Sequence, residues 1–137
     1  MRYLIDTNIF IFLGFENDKL TSEVKEIILK YENQMIISVD SVREVLLLIK
    51  SGRINIKGFH TYDDIKHFLD EYGIEVRHTT DAHLKTLSRL TPAPHHSDPI
   101  DLMIISQAIA ENIPLISSDA KFPLYTKQGL RFIHNRR

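Results

Sequence analysis

The chain has 137 residues, 43% of them hydrophobic and 26% charged, which suits one buried core and excludes a disordered or fibrous polypeptide. Its 17 Lys and Arg against 18 Asp and Glu give a formal charge of -1, which argues against a wholesale basic coat but leaves room for a local basic patch. The absence of cysteine excludes disulfides, thiolate zinc sites, cysteine-ligated iron–sulfur clusters and a cysteine nucleophile, so any metal falls to oxygen or imidazole.

Tyr3-Leu4-Ile5 is a short apolar run that stops at Asp6-Thr7-Asn8, the pattern of a buried strand ending in a cap. A short helix is expected over Ile9–Leu13, ended by Gly14. Val24, Ile27, Ile28 and Tyr31 fall at helical spacing after Thr21-Ser22. Met35-Ile36-Ile37 is the second expected strand. A helix with Val42, Val45, Leu46 and Ile49 on one face follows it. Ile65, Phe68, Leu69 and Tyr72 repeat the spacing after Thr61, with Gly73 as the stop. Ile74-Glu75-Val76 reads as a weaker strand. The next helix, Ala82–Leu90, is expected to turn Leu84 and Leu87 inward.

The Pro-rich stretch 91–97 is too short to divide domains, so residues 1–137 are expected to form a single domain. From Ile100 to Ile109 apolar residues run almost all round the helix, which marks it as a buried centrepiece. Pro114-Leu115-Ile116 and Phe132-Ile133 complete the strands. Strands alternating with helices predict an α/β fold, a three-layer α/β/α sandwich around a mostly parallel sheet. Asp6 interrupts the apolar start that a signal peptide needs, and no run approaches a membrane span. A cytoplasmic protein is the expectation.

Sites in open parallel sheets form beyond the carboxyl ends of the strands. Asp6, Glu44 and Asp119 each lie at or soon after such an end, Glu44 in what reads as the first turn of its helix. Asp98 and Asp101 open the buried helix. Each has a plain structural explanation. Asp6 and Asp98 suit helix caps, Ser41-Val42-Arg43-Glu44 has the form of a capping box, and Asp119 suits a turn. Those explanations leave the local charge unexplained. Residues 91–120 hold Asp98, Asp101, Glu111 and Asp119 but no Lys or Arg. Carboxylates converging without a cationic side chain repel, and desolvating them together costs several kcal/mol unless a cation intervenes. With oxygen ligands alone, the usual cation is Mg²⁺ or Mn²⁺. Such ions activate water and clamp the oxygens of a phosphodiester, so the set is compatible with a nuclease.

Four segments together resemble the PIN domain. They are Leu4-Ile5-Asp6-Thr7-Asn8, Ser41-Val42-Arg43-Glu44, His96-Ser97-Asp98-Pro99-Ile100-Asp101 and Ile116-Ser117-Ser118-Asp119-Ala120-Lys121-Phe122. The chain is similar, more narrowly, to toxin ribonucleases of the VapBC-type toxin–antitoxin systems, from Leu4 to about Ile133. The resemblance implies that Asp6, Glu44, Asp101 and Asp119 are an acidic quartet binding one or two Mg²⁺ or Mn²⁺ ions. Asp6 and Asp101 would be the principal ligands. Asp98 matches an accessory acid and is expected chiefly to cap its helix, while Thr7 and Ser117 match small hydroxyl positions beside the carboxylates. The resemblance further implies RNA as substrate, a cognate antitoxin as partner and a homodimer. Two positions depart from it: Leu102 stands where Arg is common, and Ser117 where Thr is.

Weaker signals surround these. Residues 121–137 carry Lys121, Lys127, Arg131, Arg136 and Arg137 with no acid, which reads as a phosphate- or antitoxin-contacting tail or as a solvated, frayed terminus. Lys50, Arg53 and Lys57 read as ordinary surface. His95-His96 is a poor metal pair because adjacent histidines seldom face one ion. His96 is expected to approach a phosphate or to lie against the helix start. Phe10, Phe12 and Phe15 read as core, or secondarily as an interface. Two alternatives stay open beside the nuclease: a non-catalytic module that holds a basic partner, and another Mg²⁺-dependent α/β enzyme such as a phosphatase or receiver domain.

Overall fold

The computed structural model describes residues 1–136. Its strands are β1 (Arg2–Ile5), β2 (Gln34–Ser38), β3 (Glu75–Arg77), β4 (Leu115–Ser117) and β5 (Phe132–His134). They form one sheet in the order β3-β2-β1-β4-β5, and every pairing is parallel. Between them run α1 (Thr7–Phe15), α2 (Ser22–Leu29), α3 (Val39–Lys50), α4 (Tyr62–Glu71), α5 (Asp81–Arg89) and α6 (Pro99–Glu111).

The two-residue period of the strands divides their apolar side chains between two cores. Ile5, Met35, Ile37 and Ile116 point into one, with Ile9, Phe10, Val24, Val42, Val45, Ile65 and Leu69 from α1–α4. Leu4, Ile36 and Leu115 point into the other, with Ile104, Ile105 and Ala108 of α6. Apolar triplets are therefore what a sheet covered on both faces requires. The expected three-layer α/β/α architecture is what the chain adopts.

The path of the chain decides where a site can lie. After β1 it builds outward through β2 and β3, then crosses back through α5 and α6 to place β4 on the other flank of β1. The reversal makes the carboxyl ends of β1 and β4 a topological switch point, where a crevice opens in sheets of this kind.

Several local expectations need correction. Gly14 lies inside α1 rather than ending it, and its place is set by packing: a Cβ there would stand 3.2 Å from the Phe68 ring. Helix α2 stops at Leu29, which leaves Tyr31 fully exposed instead of on an inward face. On α5 the inward residue is His83, while Leu84 is about half exposed. Residues 121–136 are no frayed tail, because Phe122 and Tyr125 sit in a 3-10 turn within the core and β5 follows. Arg137 lies outside the described residues. Thr61 caps α4 as expected, in a reciprocal capping box with Asp64.

Candidate active site

Asp6 follows β1 directly and is the N-cap of α1. Its side chain is buried, with 3% of the residue exposed. One carboxylate oxygen, Oδ1, accepts the Thr7 N–H at 2.7 Å, and Oδ2 accepts the Ser117 hydroxyl at 2.6 Å. The capping explanation thus accounts for one oxygen and not for the other. Ser117, at the end of β4, also accepts the Asp119 N–H at 3.0 Å, so one hydroxyl ties the Asp6 carboxylate to the loop that carries Asp119. Asp119 accepts the Lys121 N–H at 2.8 Å, the turn contact expected of it.

Asp101 stands in the first turn of α6 and is partly buried. Its Oδ2 lies 3.0 Å from Nε2 of His96. Asp98 is the cap of this helix and accepts the N–H groups of Ile100 and Asp101 at 2.9 and 3.2 Å. That role was expected, and Asp98 is exposed.

Glu44 is placed differently from the expectation. Helix α3 begins at Val39 with Ser38 as its cap, the Ser38 hydroxyl accepting the Asp40 N–H at 3.1 Å. Ser41 is therefore inside the helix and Glu44 is in the second turn, so the capping box at 41–44 does not form. Glu44 is partly buried, and its side chain has no hydrogen bond or ion pair among the described residues.

The carboxylates act on one another. Burial, above all, pushes the Asp6 carboxyl up to about 7. Its hydrogen bonds with Ser117 and Thr7 pull the other way, and the charges of Asp101 and Glu44 add to the rise. Asp101 is also raised, first by burial and then by the charges of Asp98 and Asp119, while His96 opposes the rise. Each of the four quartet positions therefore lies within the field of at least one other. No Lys or Arg makes an ion pair with Asp6 or Asp101 among the described residues.

The donor set fits a hard divalent cation, which takes carboxylate oxygens and would relieve the repulsion that adds to the effect of burial on Asp6 and Asp101. Among the described residues no group of three or more His, Cys, Asp or Glu side chains is arranged as a ready-made metal site. Unpartnered polar atoms lie close by in sequence. Thr7 Oγ1, Asn8 Oδ1 and Ser41 Oγ are buried and take no hydrogen bond among the described residues. Thr7 and Asn8 begin the helix after β1, and Ser41 is one turn before Glu44.

The comparisons with known proteins bear on the family and the fold. The PIN domain profile matches residues 3–128. The chain belongs to the PIN-domain family. Among curated proteins compared by sequence, none matches. Similar solved structures include VapBC2 from Rickettsia felis bound to a DNA fragment from their promoter, with a TM-score of 0.70, 18% identity and 98% of each chain covered. VapBC-1 from nontypeable Haemophilus influenzae follows at TM-score 0.67, 19% identity and 98% of each chain. FitAcB from Neisseria gonorrhoeae gives 0.66, 13% and 97% of each chain. At such identities these structures speak for the fold. In this PIN domain the Arg common after the second Asp of the His-x-Asp-Pro-x-Asp segment is Leu102, which packs against the α6 core instead of pairing with an acid.

Sequence reasoning missed the surroundings of Asp101. His96 is 3% exposed, and its Nδ1 lies 2.7 Å from the hydroxyl of Tyr125, itself fully buried. Of the two places expected for His96, the one against the helix start is correct. His95 turns away, exposed and at a left-handed φ of 61°. The aromatic trio divides: Phe10 and Phe12 are core, while Phe15 is partly buried and packs edge-on against Phe59. Lys50, Arg53 and Lys57 are exposed at and beyond the end of α3, away from the strand ends that carry the acids.

Proposed function

We propose that this PIN domain is a metal-dependent endoribonuclease, the toxin of a type II toxin–antitoxin pair, with Asp6, Glu44, Asp101 and Asp119 as its metal-binding and catalytic acids. The observation that carries the reading is the state of Asp6. It is a buried carboxylate pushed up to about 7 beside Asp101 and Glu44, with no Lys or Arg paired to it among the described residues. A group so placed costs the fold stability unless it serves a cation. Mg²⁺ or Mn²⁺, when bound, would supply charge for the scissile phosphate and an activated water.

The residues of the chain have their own parts. Ser117 and the Thr7 N–H hold both Asp6 oxygens in place, which fixes the direction of the carboxylate. Asp101 reaches the same crevice from the start of α6, and Asp119 from the loop tied to Ser117. Glu44, without a partner, is free to turn toward a ligand. The unpartnered Thr7 hydroxyl is a contact for a phosphate oxygen. Exposed Lys121 follows Asp119 closely and supplies positive charge for an RNA backbone.

A cytoplasmic setting and a cognate antitoxin belong to the same proposal, as does a homodimer. The structures it resembles include VapBC2 and VapBC-1, and among the described residues no helix is long and apolar enough to cross a membrane. The test is cleavage of RNA by purified protein with Mg²⁺ or Mn²⁺, beside Asp6→Asn and Asp101→Asn. Metal-dependent cleavage lost in both variants supports the proposal. Equal cleavage by all three proteins contradicts it.

A further inference from the structure

Tyr125, His96 and Asp101 form a chain of hydrogen bonds whose direction can be read from its far end. The Tyr125 hydroxyl oxygen accepts the Ala93 N–H at 2.9 Å. Its own proton must go elsewhere, because Tyr125 is fully buried and an unused O–H there is costly. The neighbour in reach is Nδ1 of His96, at 2.7 Å. If Nδ1 carried a proton, the tyrosine oxygen would accept twice and its hydrogen would have no acceptor. Nδ1 is therefore the acceptor, and the ring proton lies on Nε2. That nitrogen is 3.0 Å from Asp101 Oδ2, so it donates to the carboxylate. The opposite tautomer would set two lone pairs against each other at that distance.

We propose that His96 is a positioning residue for Asp101, locked by the Tyr125 hydroxyl as its Nε2–H tautomer. The bond occupies Oδ2 and fixes the plane of the carboxylate. Oδ1, which takes no hydrogen bond among the described residues, is left for a cation. The Phe122 ring packs beside His96, with centroids 6.2 Å apart, and limits its rotation. The bond also crosses the start of α6, tying the loop before Pro99 to the acid in the first turn. Second partners of this sort, which orient a metal's ligand without touching the metal, typically change affinity tenfold to a hundredfold.

The proposal rests on the metal-binding reading above, and its test separates the two. Nitrogen-15 spectra of the His96 ring in metal-free protein report the tautomer directly. A protonated Nε2 with an unprotonated Nδ1 is expected, and a protonated Nδ1 overturns the proposal. Calorimetric titration with Mn²⁺ then reads the consequence. His96→Leu should weaken binding by about tenfold or more, and His96→Gln, which keeps a donor toward Asp101, should recover most of that loss. Mn²⁺ binding by wild type that is unchanged in His96→Leu defeats the positioning role alone. Failure of wild type to bind Mn²⁺ defeats the metal reading with it.

Discussion

Two half-buried acids in this molecule each meet a buried histidine, and they have opposite surroundings. Glu111, at the end of α6, accepts from Arg77 and lies 2.7 Å from Nε2 of His83. The other nitrogen of His83 accepts the Thr80 N–H at 3.0 Å, and the three side chains pin α5 and β3 to α6. Asp101, at the start of the same helix, has His96 but no arginine among the described residues, and it feels Asp98 and Asp119 instead. Their partners are of the same kind apart from one cation. The first acid is complete as a structural link. The second, with buried Asp6 beside it, is paired with no Lys or Arg among the described residues, which is the condition that the proposed cation site requires.

Exchanging charge for neutrality at each place should give unlike results. The largest effect is expected on the site. Asp101→Asn and Asp6→Asn should reduce Mg²⁺-dependent RNA cleavage by roughly a hundredfold or more, since losing a ligand exceeds the loss of a supporting contact. Glu111→Gln should leave cleavage within about threefold in the same assay, because it touches no part of the crevice. Comparable losses in all three variants would erase the distinction.

Stability should reverse the order. The Asp6 carboxyl titrates at about 7 in the fold against 3.8 for an ordinary side chain, so the folded state binds its proton more tightly than the unfolded one. Its contribution is fully present below about 4 and is lost as pH rises through about 7. Metal-free wild type should therefore gain stability on going from pH 8 to pH 5, on the order of 3 kcal/mol from this group. Asp6→Asn should flatten that gain in urea unfolding curves. The same variant at pH 8 should be no less stable than wild type. Glu111→Ala should instead cost about 2 kcal/mol, having left a buried histidine N–H and an arginine without their acceptor.

Ser117→Ala should have the smallest effect. It removes one donor from Asp6, so the carboxyl should rise further, and Mn²⁺ affinity should fall about threefold. Carbon-13 shifts of the Asp6 carboxyl followed against pH give the first quantity, and calorimetry the second. A downward move of the Asp6 titration in Ser117→Ala would contradict the bonding assigned here.

The parts of this contrast differ in how plainly the sequence carries them. Strands were legible because apolar triplets ended at polar residues, as Ile5 does at Asp6 and Ile116 at Ser117. The site's acidity was legible too, since no Lys or Arg interrupts residues 91–120. Helix starts were less so. Ser38 belongs by composition to the strand it ends, and Ser41 with Glu44 imitated a cap one turn too late. Buried histidines were the least visible. Counting hydrophobicity puts Leu84 inward, whereas His83 is buried because Glu111 and Thr80 satisfy both its nitrogens. His96 depends on Tyr125, 29 residues away, and no local period expresses that contact.

The central claim is that the carboxylates of Asp6 and Asp101 await a divalent cation while that of Glu111 does not. Calorimetric titration of Mn²⁺ into metal-free protein tests it most directly. Saturable binding by wild type, lost in Asp6→Asn and Asp101→Asn and retained in Glu111→Gln, is the predicted result. Binding that survives both aspartate substitutions, or that disappears with Glu111→Gln, would contradict it.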